Sequence, residues 1–272
     1  MESNQSKISL VVSDVDGTLI DENKTLTDKT KAAIQKLRDA GILFTITSAR
    51  PPFGLKRIAE TLELQYPIGS FNGGLIATLA GKQVDITALD RSVIPKIVTT
   101  IENYGLDTWL YSDRYWYVKK HDGFHVDDHE ETLQFGATAI ESFDNLEDDI
   151  FKIVGVSPDY DAVAQCEAAT QKQFENTLAA TRSQPYNLDI THPKANKGKA
   201  VAQIARHLNI PLAEVMTIGD NFNDIAMFDR SGTSVAMGNA DAEVQKKAAH
   251  VTASNQEEGF ALAIDRLVFQ EL

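Results

Sequence analysis

The chain has 272 residues and carries 39 acidic against 26 basic side chains, a net charge of −13. That acidity, with no basic run longer than two residues, argues against nucleic acid and membrane surfaces as partners. Hydrophobic residues at 43% and charged residues at 24% are the proportions of a globular protein large enough for one or two cores.

In chain order, the polar opening MESNQSK leads into Ile8–Val12, a strand-like apolar run. It is far too short for a secretion signal or a membrane span, so a cytoplasmic protein is expected. Thr27 is placed to cap a helix in which Ala33, Ile34, Leu37 and Ala40 share a face, and Gly41 to end it. ILFTIT (42–47) is the next strand, LKRIAETLEL a helix, and YPIGSFNGG a strand and turn. From about residue 84 to 188 the pattern changes. LDTWLYSD and YWYVKK suggest a hairpin, and FKIVGVS and NTLAATRS flank a helical DAVAQCEAATQKQF. Both tryptophans lie here, and Trp109, Tyr111, Trp116 and Tyr117 read as the core of this region. HDGFHVDDHEE (121–131), despite three histidines among acids, reads as a solvated charged loop or helix. The lone Cys166 excludes an internal disulfide and reads as inert packing.

Near residue 197 the alternation returns. KGKAVAQIARHL places Val201, Ile204, Ala205 and Leu208 on one helical face; EVMTIG, TSVAMG and HVTAS read as strands, and FNDIAMFDR, DAEVQKKAA and GFALAIDRLVF as helices. The expected fold is α/β, a doubly wound and mainly parallel sheet formed by residues 1–83 and 189–272, with an α+β domain inserted at 84–188.

In such a sheet, ligands collect beyond the carboxyl ends of strands. Polar groups stand at four such ends: Asp14 and Asp16, Ser48, Asn72 with Gly73, and GDNFND (219–224). Asp14, Asp16, Asp220 and Asp224 would crowd one rim, and such a cluster calls for a cation. Oxygen ligands without His or Cys favour Mg²⁺ over zinc. Lys197 offers a fixed positive charge, and cation, lysine and backbone amides together suit a phosphoryl group. A carboxylate can attack phosphorus, and a second one two residues on can protonate the leaving oxygen and later deprotonate water. Asp14 and Asp16 fit those two roles. Neither GxxxxGK[ST] nor GxGxxG occurs, so nucleotide-binding folds gain no motif support.

DVDGT, Ser48, Lys197 and GDNFND, in that order, resemble the four motifs of the haloacid dehalogenase (HAD) superfamily. SFNGGLI, GDNFNDIAMF, SVAMGNA and VTASNQEEGFALAI are similar to its Cof-type phosphatases, which carry a type IIB cap between the second and third motifs. The likeness covers about residues 8–82 and 188–270 and is weak across the cap. It implies a Rossmann-like core and Mg²⁺-dependent hydrolysis of a small phosphomonoester through an aspartyl phosphate, with the cap closing over the core and setting specificity. It implies that Asp14 is the nucleophile and a metal ligand, and Asp16 the acid/base, its carbonyl also on the metal. Ser48 would hold the phosphoryl group, Lys197 stabilise nucleophile and phosphate, and Asp220 bind the metal. Asn223 and Asp224 would support the metal shell or Lys197. Asn72, Gly73 and Arg50 are the expected substrate-binding residues: Asn72 matches a position near the phosphate, Gly73 lies beside it, and Arg50 ends the second motif. One departure is Ser48-Ala49-Arg50, where the family has Thr or Ser, then Gly, then Arg. Sugar phosphates or phosphorylated cofactors are the expected substrates. A phosphomutase and a non-catalytic phosphometabolite sensor are the alternatives, and the oligomeric state is not readable.

Overall fold

The computed structural model describes residues 7–271. Among them runs a five-stranded parallel sheet in the order His250–Val251, Thr233–Ala236, Val215–Gly219, Leu10–Ser13, Leu43–Ile46. Leu10–Ser13 and Val215–Gly219 are buried along their whole length, as strands covered on both faces must be. The helix Lys197–His207 lays Ala200, Val201, Ile204 and Ala205 in one core with Leu10, Val12 and Val215. The helix Asp28–Asp39 packs against Gly259–Leu267 and Leu43–Ile46, and Phe44 meets Phe260 edge-on at 5.8 Å. Thr27 caps Asp28–Asp39 by accepting a hydrogen bond from the Thr30 amide, which satisfies one otherwise orphaned donor.

Leu10–Ser13 lies between the second strand of the chain and the much later Val215–Gly219. The strand order reverses there, which opens a crevice at its carboxyl end. A three-stranded antiparallel sheet, Ile68–Ser70, Leu75–Ala77 and Gln83–Ile86, joins through a bridge between Thr47 and Gly69. DAEVQKKAA forms a helix only over Ala242–Gln245, and HVTAS a strand only over His250–Val251.

The chain divides into two compact units. The first holds the parallel sheet and takes the chain up to Ala49, Lys56–Ile86 and everything from Asn196. The second takes Arg50–Leu55 and Thr87–Ala195. Its six-stranded sheet runs Ala179–Gln184, Asn187–Thr191, Lys152–Val156, Asp107–Tyr111, Trp116–Val118, Thr138–Ala139. Ile97 and Ile101 from the helix Ile94–Asn103, and Val163 and Cys166 from Tyr160–Gln173, complete a core with Leu110, Ile153 and Leu188. Trp109, Tyr111, Trp116 and Tyr117 are buried, with Trp109 edge-on to Trp116 at 5.1 Å and Tyr111 parallel to Trp116 at 5.8 Å. His129 lies against these rings, and burial, followed by Lys152 and Arg50, lowers its pKa to about 4. It comes from the helix Val126–Leu133, which occupies much of the 121–131 stretch. No helix among the described residues is long and apolar enough to cross a membrane.

Candidate active site

Asp14 is the first residue past the Leu10–Ser13 strand. Its amide still donates to the Ile218 carbonyl at 2.9 Å, so its backbone is fixed by the sheet. Lys197 opens the helix Lys197–His207, and Asn196 caps that helix by accepting from the Lys199 amide. The Lys197 ammonium, 1% exposed, lies 2.8 Å from Asp14 Oδ1 and 2.6 Å from Asp224 Oδ1. Burial alone would lower its pKa; the carboxylates of Asp14 and Asp224 overcome this and raise it, so Lys197 is a fixed cation. The second oxygen of Asp224 accepts from the amides of Asp220 and Asn221, each at 2.9 Å. Asp224 therefore aims the lysine and shapes the 220–224 loop with the same carboxylate.

Asp220 Oδ1 accepts from Thr18 Oγ1 at 2.8 Å. The loop after Asp16 comes so close that a Cβ on Gly17 would fall 2.3 Å from Asp220 Oδ2, and Gly17 has φ +81°. Both the space and the left-handed backbone require glycine here. Gly17→Ala is expected to lower the unfolding free energy by about 1–3 kcal/mol and to displace Asp220, read as a lower urea midpoint and weaker Mg²⁺ binding.

Asp14, Asp220 and Asp224 bring ligand atoms within 4.8 Å of one another, the one such acidic, imidazole or thiol cluster among the described residues. The histidines of 121–131 form none. Burial raises the Asp14 pKa well above the usual carboxylate range, against the pull of Lys197 and with Asp224 and Asp220 adding to it. Burial likewise pushes Asp220 up to about 6, against the hydrogen bond from Thr18. Two carboxylates this close repel each other, so each disfavours ionisation of the other. One lysine does not neutralise this cluster, and its hard oxygen donors fit Mg²⁺.

The remaining expected residues divide. The Asp16 carboxylate is at the rim, 36% exposed, with Lys24 Nζ 3.1 Å away. Ser48 is buried; its amide donates to the Gly69 carbonyl and its carbonyl accepts from the Asn72 amide, both at 2.9 Å. Asn72 Oδ1 accepts from Asn223 Nδ2 at 3.0 Å, tying the third and fourth strand-end loops together. Phe71, Asn72 and Gly73 all have positive φ, a left-handed turn in which Gly73 is buried. Arg50 belongs to the second unit, where its Nη1 donates to the Gly54 carbonyl at 3.3 Å. Sequence reasoning gave no role to Thr18 or Lys24. Thr18 was visible within DVDGT, whereas Lys24 reaches Asp16 from a left-handed backbone, φ 59°, that a lysine does not advertise.

Residues 11–264 match the model of the haloacid dehalogenase-like hydrolases. The chain belongs to that family. This HAD-like hydrolase is 29% identical to the 5-amino-6-(5-phospho-D-ribitylamino)uracil phosphatase YwtE of Bacillus subtilis, over 94% of this chain and 96% of that one. It superposes on a haloacid dehalogenase-like hydrolase from Bacteroides thetaiotaomicron with a TM-score of 0.89 at 25% identity, covering 96% and 100% of the two chains. The HAD subclass IIB sugar phosphatase BT4131 shares the fold at a TM-score of 0.80 and 21% identity, over 95% and 98% of the chains. The α/β fold with a parallel sheet is thus that of the HAD-like hydrolases.

Proposed function

We propose that this HAD-like hydrolase is a Mg²⁺-dependent phosphatase that hydrolyses small phosphomonoesters through an aspartyl phosphate. One observation carries the reading: Asp14, at the carboxyl end of the sheet's switch-point strand, is buried between a fixed lysine and a second carboxylate that cannot comfortably share its charge. A carboxylate oxygen of Asp14 attacks phosphorus as the bond to the leaving oxygen breaks, and Asp16 donates a proton to that oxygen. Asp16 then takes a proton from the water that attacks the phosphoryl group, which frees Asp14 and releases phosphate. Lys197 stabilises negative charge on Asp14 and on the phosphoryl oxygens, and Ser48 orients them. The Asp14 and Asp220 side chains, with the Asp16 carbonyl, would hold Mg²⁺. When bound, the ion neutralises the carboxylates and the phosphoryl oxygens. Asp224, with both oxygens engaged, serves Lys197 and the loop. The second compact unit corresponds in this reading to the inserted cap domain.

A relative named for a phosphorylated ribityl compound and a fold neighbour named as a sugar phosphatase support phosphorylated sugars, sugar alcohols or cofactor precursors as the substrate class. A phosphate-release screen over such compounds with Mg²⁺ tests this. Turnover that disappears with EDTA and returns with Mg²⁺ is expected. Isomerisation without phosphate release would make the chain a mutase, and tight binding without turnover a sensor.

The metal site has its own pH signature. Asp220, with its pKa near 6, must lose its proton to bind Mg²⁺. The Asp220 contribution to Mg²⁺ affinity is therefore expected to be complete above pH 7 and to fall by up to about 10-fold per unit as pH drops below 6, measured by calorimetry, with the raised pKa of Asp14 adding to the loss. A flat affinity between pH 5 and 8 would remove Asp220 from the ligand set.

A further inference from the structure

SVAMGNA and VTASNQEEGFALAI have no part in the chemistry above, yet in the fold they become neighbouring loops. The Gly238 amide donates to the Ala253 carbonyl at 2.9 Å, and a Cβ on Gly238 would come within 2.7 Å of the Ser254 nitrogen. Across this close approach Asn239 Oδ1 accepts from the Asn255 amide at 2.9 Å. Asn239 Nδ2 donates to the Gly17 carbonyl, and Asn255 Nδ2 to the Ile20 carbonyl, each at 3.0 Å. Two linked amides therefore grip both ends of Gly17–Ile20, the turn that follows Asp16.

That turn is poorly held from within. The amides of Thr18, Leu19 and Ile20 all converge on the single Val15 carbonyl, at 3.3, 3.0 and 3.2 Å. Its position matters, because Asp16 bridges to Ile20 and Thr18 donates to Asp220. Asn255 is itself secured, since Ser254 and Glu257 form a capping box around it.

We propose that Asn239 and Asn255 are paired positioning residues, a hydrogen-bonded brace that holds the Gly17–Ile20 turn and so fixes Asp16 and Thr18 relative to Asp14 and Asp220. The catalytic half of this inference rests on the acid/base role of Asp16. Asparagine suits the task because each side chain must donate to a carbonyl, and Asn239 must also accept from an amide. An aspartate at 239 would keep the acceptor but set a carboxylate against the Gly17 carbonyl. Asn239 is exposed, so water replaces much of a lost bond and the fold survives. What is lost is placement, and a displacement of about 1 Å at a reacting group costs on the order of 100-fold in rate.

The test uses the full chain with Mg²⁺, p-nitrophenyl phosphate as substrate, and the variants Asn239→Ala, Asn239→Asp, Asn255→Ala and the double alanine variant. Each single variant is expected to lose about 10-fold or more in kcat, with KM within about two-fold and Tm within about 2 °C of wild type. The double variant should lose little beyond the worse single one, since the two residues act as a unit. Hydrogen exchange at the Thr18–Ile20 amides should quicken in every variant, with or without substrate. Unchanged exchange there overturns the brace. Faster exchange with wild-type kcat, or kcat losses that track Tm, overturns its catalytic role. If wild-type protein cleaves no phosphomonoester, the phosphatase reading falls, while the exchange rates still decide the brace.

Discussion

Asp14→Asn is expected to lower phosphate release by at least about 1,000-fold while leaving the chain folded and, without a divalent ion, more stable than wild type. The first half follows from the proposed role of Asp14 as the nucleophile. The second follows from its surroundings. Burial raises the Asp14 pKa, so the folded state binds that proton more tightly than the unfolded state does. The metal-free wild-type protein therefore gains stability as pH falls and loses it as pH rises, and the ionised form strains the fold at neutral pH. Asparagine removes this charge and can still accept from Lys197 through Oδ1. The advantage of the variant in thermal unfolding should be largest near pH 8 in EDTA and shrink toward pH 4. Mg²⁺ should close the gap if it binds the wild-type cluster as proposed, since the variant lacks one of the proposed ligands. Activity within about 10-fold of wild type would end the nucleophile assignment. A lower midpoint for the variant at pH 8 would refute the argument from burial.

That such a site could be read from the sequence at all reflects how parallel sheets work. Strands buried on both faces must be apolar, so Leu10–Val12 and Val215–Ile218 announce themselves, and Asp14 or Gly219-Asp220 mark where each one stops. The switch-point rule then predicts that these ends share a rim, and Asp14, Asp220 and Asp224 do meet. Less visible is anything set by long-range side-chain geometry. Asp224 reads in the sequence as one more acid, and only the fold gives one of its oxygens to Lys197 and the other to two amides. Phe71 gives no warning of a left-handed turn, although Asn72 and Gly73 do. The strand Asn187–Thr191 was missed although Leu188 and Ile190 alternate cleanly with polar residues, because five residues beside a proline turn are a weak signal. Asn239 and Asn255 belong to motifs whose likeness was plain but whose purpose depends on two loops meeting 16 residues apart in the chain.

Lys197→Ala is expected to cost about 3–5 kcal/mol of unfolding free energy and to abolish activity, because it strands two buried carboxylates. Lys197 has its pKa raised, so its contribution is complete below the unfolded lysine pKa of about 10.4 and is lost only as pH climbs beyond that value. Lys197 itself stays charged from pH 6 to pH 9, but the stranded carboxylates take up protons more readily without it, so the deficit should be larger at pH 9 than at pH 6. Lys197→Met separates charge from volume: it keeps most of the aliphatic stem and should remain destabilised, since the stranded carboxylates are the cause. Adding Asp224→Asn to Lys197→Met should then restore much of the lost stability, because a buried ion pair replaced by neutral groups of similar size is often close to neutral in stability. Turnover should not return, as no cation would remain beside Asp14 in the chain itself. Urea unfolding of wild type, Lys197→Met, Asp224→Asn and the double variant forms a double-mutant cycle. Additive losses would mean that the 2.6 Å contact between Lys197 and Asp224 does not couple them. Recovered stability without recovered turnover would show that the fold can dispense with this charge pair and that the chemistry at Asp14 cannot.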